Sequence, residues 1–224
     1  MHDVEVLRCT WSADCSWCTF DYHVETLCDL PLLSNLGAIW CLYSGVNAIV
    51  EHIEWLQALL APFYKATGKP CLTKADINAL RKPLAALKQA LLDVKLLYVP
   101  PPGAPLVLCT DAAGAGVGAM LLAQCSEDPN DLAPVCYFSH AFGSKQGRKH
   151  STWHEACAVY KAIMFFYLYL DGCINLRIET DCGIVVSLFS HKVLNDADPL
   201  AQFKLGLTEL GVKKQMIVHC HSID

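Results

Sequence analysis

The spacing of apolar positions changes character along the chain. Residues 4–11 with 18–22 carry β-branched and aromatic side chains at strand-like alternation and read as a strand pair. Asp29, Pro31, Ser34 and Asn35 then punctuate the chain, and helical spacing takes over. Residues 36–61 hold apolar positions at mixed intervals of three and four. Residues 73–94 do so more cleanly, with Thr73 as N-cap ahead of Leu80, Leu84, Leu87, Leu91 and Leu92. Pro100, Pro101, Pro102 and Pro105 cannot continue a helix and mark a boundary. Beyond it the pattern predicts short strands at 106–110, 116–124 and 133–138, an amphipathic helix over 152–170 and a fourth strand at 175–180. Short helices at 183–190 and 198–210 and a fifth strand at 214–220 follow. The order β-β-β-α-β-α-α-β predicts an α/β architecture with helices packed on a mixed sheet.

Composition narrows the class. With 54% apolar and 17% charged residues, the 224-residue chain is too hydrophobic to be disordered. Its longest apolar stretches, 36–50 and 156–170, fall short of the roughly 20 residues a bilayer span needs, so no membrane partner is expected. The formal charge of −5 supplies no general basic surface, so a polyanion would be held by a local patch or by metal ions. Thirteen cysteines are scattered along the chain, and residues 1–14 are charged, with no apolar core of a signal peptide. Both point to an intracellular compartment, cytoplasm or nucleus, with the thiols acting mainly as small core residues. Cys15 and Cys18 form a C-x-x-C flanked by Cys9 and Cys28. A second pair at knuckle spacing is missing, so zinc is not expected there. His219, Cys220 and His221 read as alternating strand positions.

Four acidic residues stand at element ends in the second half: Asp111 after the first strand, Glu155 in the first turn of the long helix, Glu179 and Asp181 at the end of the fourth strand. If the first and fourth strands are parallel neighbours, Asp111 and Asp181 share a sheet edge, and the helix can lower Glu155 beside them. Convergent carboxylates repel unless cations neutralise them, which points to Mg²⁺ or Mn²⁺ and to phosphodiester hydrolysis. Each residue also has a plainer role open to it. Thr152-x-x-Glu155 fits a capping box, Asp111 a turn and Asp181 an N-cap. Gly114, Gly116 and Gly118 precede a strand instead of opening a helix, which argues against a dinucleotide loop. Lys145, Arg148, Lys149 and His150 form a basic loop directly before the long helix, a candidate for phosphate contact. His154 reads as a helix-surface residue within reach of the ions, and Trp153, Tyr160 and residues 165–169 as core.

The ordered runs Leu108-Cys-Thr-Asp-Ala-Ala-Gly-Ala-Gly-Val-Gly-Ala-Met-Leu-Leu122, Pro134-Val-Cys-Tyr-Phe-Ser139, His150-Ser-Thr-Trp-His-Glu-Ala-Cys-Ala-Val159, Tyr169-Leu-Asp-Gly172 and Glu179-Thr-Asp181 carry a resemblance. Together they resemble the ribonuclease H domain of LTR-retrotransposon reverse transcriptases of the Ty3/gypsy-like kind. Upstream, Val4-Glu-Val-Leu7 with Trp11-Ser-Ala13 resembles the last palm hairpin. Val24-Glu-Thr-Leu27 through Leu36-Gly37 and Asn47 resembles the start of the thumb, and residues 73–102 the connection. The resemblance implies a ribonuclease H-like mixed five-stranded sheet with flanking helices, preceded by a mostly helical thumb/connection segment. Its divisions are a palm-like hairpin and linker over 1–35, a thumb/connection-like segment over 36–102 and a C-terminally truncated ribonuclease H-like domain over 103–224.

The implied activity is metal-dependent hydrolysis of the RNA strand of RNA/DNA hybrids within a reverse transcriptase polyprotein, with Mg²⁺ or Mn²⁺ as cofactor. Asp111, Glu155 and Asp181 match the family's first three catalytic, metal-binding carboxylates, and Lys145, Arg148 and Lys149 are the expected substrate contacts. The fourth carboxylate would lie beyond Asp224 and the polymerase's paired aspartates before Met1, so slow cleavage or none by the chain as it stands is expected. The alternative is a non-catalytic retroelement relic or a host-adopted nucleic-acid or protein binding module.

Overall fold

The prolines at 100–102 stand at the junction of two compact units, Met1–Val99 and Pro100–Asp224, in a computed structural model of the chain. The structure describes residues 4–6, 9–11, 16–19, 21–29, 35–47, 49–93, 97–188 and 200–220, with side chains from Val24 onward.

In the first unit, β1 (Val4–Val6), β2 (Cys9–Trp11), β3 (Ser16–Thr19) and β4 (Leu97–Tyr98) form an antiparallel sheet in that order. The helices are α1 (Asp21–Cys28), α2 (Leu36–Asn47), α3 (Leu56–Thr67), α4 (Lys74–Ala79) and α5 (Arg81–Leu92). All but α4 contribute to a core that includes Leu27, Ile39, Leu42, Leu60, Phe63, Leu87 and Leu91. The helical reading of 36–61 is corrected by a break: a 3₁₀ turn at Val50–His52 and Trp55 at φ 54° separate α2 from α3. That turn seats Ile49 and Ile53 in the same core, which a continuous helix would not require. Thr73 caps α4 through a reciprocal box, accepting from the Asp76 amide at 3.2 Å while Asp76 accepts from the Thr73 amide at 3.0 Å. The helix predicted over 73–94 is interrupted at Leu80. Pro83, in the first turn of α5, has no N–H to donate to the carbonyl of Ala79.

In the second unit, β5 (Leu106–Ala113), β6 (Gly116–Gln124), β7 (Leu132–Ala141), β8 (Leu176–Thr180) and β9 (Ile217–His219) form one sheet, ordered β7-β6-β5-β8-β9. The first three strands run antiparallel as a meander, while β5, β8 and β9 are parallel. The helices are α6 (Ser151–Phe165), α7 (Tyr167–Leu170), α8 (Gly183–Leu188) and α9 (Ala201–Glu209). This is the mixed five-stranded sheet with flanking helices of a ribonuclease H-like fold. α6 lies across β5 and β6, and its small buried residues Ala156, Ala158 and Ala162 allow close approach. Leu108, Leu121 and Ile178 are fully buried in the same unit.

Two readings change here. The predicted helix over 152–170 stops at Phe165 and restarts as α7, which shifts the helical phase. Phe166 is therefore buried, while Phe165, Tyr167 and Tyr169 are exposed and not core. Cys136 and Cys157 are buried as expected of core thiols, but Cys41, Cys71 and Cys125 are exposed: Cys41 on α2, the other two in connections. Cys15, His221 and Asp224 lie outside the described residues, as do the side chains of Cys9 and Cys18, and with them the zinc question. Among the described residues, no helix is long and apolar enough to cross a membrane.

The meander is tightly closed at one end. Gly116 pairs with Ala141, and a Cβ at Gly116 would lie 2.4 Å from the His140 carbonyl oxygen. Gly116→Ala is expected to cost about 1–3 kcal/mol in urea unfolding, because backbone must move to admit the methyl group. A change below about 0.5 kcal/mol, the range of neutral surface substitutions, would show that the strands part freely.

Candidate metal centre

The centre is built on an offset in strand pairing. The parallel pairing of β5 with β8 ends at Thr110 opposite Thr180, whereas the antiparallel pairing of β5 with β6 continues to Ala113 opposite Gly116. Asp111 therefore lies within β5, opposite Gly118, one residue past the point where the parallel neighbour stops. It does not follow the strand, as the shorter predicted element had it. Asp181 stands one residue past the end of β8, so both carboxylates overhang the same sheet edge.

Buried hydroxyls fix that edge. Thr110 Oγ1 donates to the Glu179 carbonyl at 3.2 Å, and Thr180 Oγ1 accepts the Cys182 amide at 3.2 Å. On the far side, His219 Nε2 donates to the Asp181 carbonyl at 2.9 Å. This contact between the last strand and the Asp181 backbone carried no signal in the sequence.

Glu155 comes from the first turns of α6. His150, not Thr152, is the N-cap, and its Nδ1 accepts from the Thr152 amide. The capping-box reading thus gives way, and the Glu155 side chain turns to the sheet edge. One oxygen each from Asp111, Glu155 and Asp181 lie within 4.8 Å of one another. Glu155 is buried, and its Oε2 is without a hydrogen-bond partner. Burial first, then the charges of Asp181 and Asp111, push its carboxyl up to about 8, while the Ala112 amide pulls the other way. Asp111 itself is exposed and accepts the Ala112 amide at 2.8 Å.

Glu179 stays outside the group. It pairs with Arg177 at 2.9 Å and accepts from Cys109 Sγ at 3.5 Å. Burial, followed by the Glu179 charge, pushes the Cys109 thiol up to about 12, which leaves this half-buried thiol protonated.

The basic loop follows β7, and its cations Lys145, Arg148 and Lys149 are exposed. None belongs to the carboxylate cluster, and His150 serves as a helix cap. The loop is tied to the β5–β6 turn, because the Phe142 amide donates to the Ala115 carbonyl at 2.8 Å. His154 is buried, contrary to the helix-surface reading, and faces this loop.

Residues 78–178 match the family model described as the RNase H-like domain found in reverse transcriptase. Those residues carry an RNase H-like domain of the kind found in reverse transcriptase. The match includes Asp111 and Glu155 and ends three residues before Asp181, which the tertiary structure adds.

The chain is also similar to the retrovirus-related Pol polyprotein from transposon 412 of Drosophila melanogaster, with 30% identity over 129 residues. That alignment spans 58% of the chain but only 10% of the polyprotein. Among solved structures, the fold resembles the foamy viral protease-reverse transcriptase in complex with dsDNA, with a TM-score of 0.72 and 13% identity over 97% of this chain and 44% of that one. The foamy viral enzyme in complex with RNA/DNA hybrid gives a TM-score of 0.68 at 14% identity, over 96% of this chain and 28% of that one.

Proposed function

We propose that the ribonuclease H-like domain hydrolyses the RNA strand of RNA/DNA hybrids with Mg²⁺ or Mn²⁺, as part of a reverse transcriptase polyprotein. The observation that carries this reading is the convergence of three carboxylates, one of them buried with an unpartnered oxygen. Burying Glu155 beside two acidic groups is unfavourable unless a cation is the intended partner, and an all-oxygen donor set fits a hard divalent ion. Asp111, Glu155 and Asp181 would hold it, with Glu155 giving up its proton on loading. Bound divalent ions of this kind lower the pKa of an attacking water and offset charge at the phosphodiester.

The rest of the reading concerns the substrate. Lys145, Arg148 and Lys149 supply a local patch of positive charge on a chain of net charge −5. The complexes of the foamy viral relatives with dsDNA and with RNA/DNA hybrid support a nucleic-acid duplex as partner. Discrimination for a hybrid would come from the 2′-hydroxyl and helix shape. The free thiols among the described residues, exposed Cys41, Cys71 and Cys125 included, support a reducing intracellular setting.

The test is incubation of the full chain with end-labelled RNA/DNA hybrid in Mg²⁺ and in Mn²⁺, with duplex DNA as control. RNA-strand cleavage that depends on the metal and spares duplex DNA is the expected result. Normal binding of metal and hybrid without cleavage in either ion would replace the enzyme with a nucleic-acid binding module.

A further inference from the structure

The N-terminal turns of α6 do two things at once. Glu155 reaches the carboxylate edge, while its neighbour His154 turns into the basic loop and donates from Nε2 to the Gln146 carbonyl at 2.8 Å. The His154 ring stacks on Phe142 with centroids 4.7 Å apart and planes at 29°. Gln146 is the hub of the loop. Its carbonyl also accepts the Lys149 amide at 2.9 Å, and its side-chain oxygen accepts the Gly143 amide at 3.1 Å. On the opposite side the loop presses against the β5–β6 turn, where a Cβ at Gly147 would lie 2.8 Å from the Gly114 carbonyl oxygen. The loop is thus clamped between the helix that carries Glu155 and the hairpin that carries Asp111, with Lys145, Arg148 and Lys149 on its exposed side.

We infer that His154 is a positioning residue: it holds the three cations at a set offset from the carboxylate centre, so that they meet the phosphates of a bound duplex together. This deepens the hybrid-cleavage reading and rests on it. A buried histidine that served packing alone would need no donor directed at the loop carbonyl, and an apolar ring would stack on Phe142 equally well. The loop cations act on substrate only through their spacing. Losing the clamp should therefore weaken binding without removing any charge.

The experiment measures affinity of the full chain for a fluorescent RNA/DNA hybrid across a salt series in metal-free buffer, where no cleavage intervenes. Each phosphate contact contributes roughly 0.9 to the slope of log affinity against log salt on a B-form duplex. A Lys145→Ala, Arg148→Ala, Lys149→Ala triple variant should lower the slope by about 2 to 3. His154→Phe, with all three cations intact, should lose most of the same amount. His154→Gln, whose amide can still donate to Gln146, should keep the wild-type slope. Gly147→Ala, which pushes the loop off Gly114 without touching α6, should reproduce the loss and carries the test if His154→Phe does not fold. A wild-type slope in both His154→Phe and Gly147→Ala, alongside a reduced slope in the triple variant, overturns the inference and leaves the hybrid reading standing. A wild-type slope in the triple variant removes the loop from the substrate contact and overturns the inference as well. Failure of the wild-type chain to bind hybrid removes both readings together.

Discussion

Replacing Asp111 with Asn is expected to reduce RNA-strand cleavage by about 10³-fold or more while leaving hybrid binding in metal-free buffer intact. Asparagine keeps the size of the side chain and an oxygen for the Ala112 amide, now 2.8 Å away, so the end of β5 retains its local bonding. What it loses is one negative charge from a set of three whose oxygens lie within 4.8 Å. Metal assistance to phosphodiester hydrolysis contributes several kcal/mol, and each 1.4 kcal/mol or so is a factor of about ten in rate. Asp111 is also exposed, so the substitution leaves no buried group unpaired and fold stability should change little. Cleavage rates in Mg²⁺ for wild type and variant, at matched hybrid occupancy, are the measurement. An Asn variant within tenfold of wild type would move the chemistry away from this centre.

The second large effect is on stability. The Glu155 carboxyl, ordinarily near 4.5, is pushed up to about 8 in the folded metal-free protein by burial and by Asp181 and Asp111. A carboxyl raised on folding favours the folded state most when protonated. Its contribution is complete below about 4.5 and is lost as pH rises through about 8. Between those limits the folded state holds a proton that the unfolded chain has released. The wild-type domain should therefore lose on the order of 3 to 5 kcal/mol from this group alone between acid and alkaline conditions.

Glu155→Gln, neutral throughout, should abolish that part of the slope and be more stable than wild type in alkaline, metal-free buffer. Saturating Mg²⁺ should restore wild-type stability there and do much less for the variant, since an ion that binds only the folded state stabilises it by mass action. Urea unfolding of both proteins on either side of this window, with and without Mg²⁺, decides it. Parallel pH profiles for the two proteins would mean that Glu155 is ionised and solvated in the folded state.

The elements most legible in sequence were those whose signal is local. The span Gly116–Gln124 is a short apolar run between turn residues, and β6 has those limits. Thr73 precedes a periodic run and caps α4. Errors fell where a second partner sets the boundary. β5 runs three residues past its predicted end because β6 continues to pair with it after β8 has stopped. α6 stops at Phe165 although the chain remains apolar, and the exposed aromatics of α7 looked like core for that reason. Helix position alone places His154 on the surface, yet it is buried because the loop from 143 to 149 folds back over it.

By itself, then, the sequence determined the two-part division of pattern at the prolines, the order of strands and helices in the second half, and the acidic residues placed at element ends. Those features follow from backbone chemistry and from periodicity within a few residues, and no distant contact can erase them. Only the tertiary structure decided that Asp111, Glu155 and Asp181 meet while Glu179 does not. That outcome depends on parallel pairing of β5 with β8, on the one-residue overhang of each, and on α6 crossing the meander at a distance set by its alanines. Residues 44 and 26 apart in the chain share one charge environment only after those contacts form. The raised carboxyl of Glu155 and the clamp of His154 on the basic loop are products of that convergence, because burial and donor direction are properties of packing and not of any short stretch of chain.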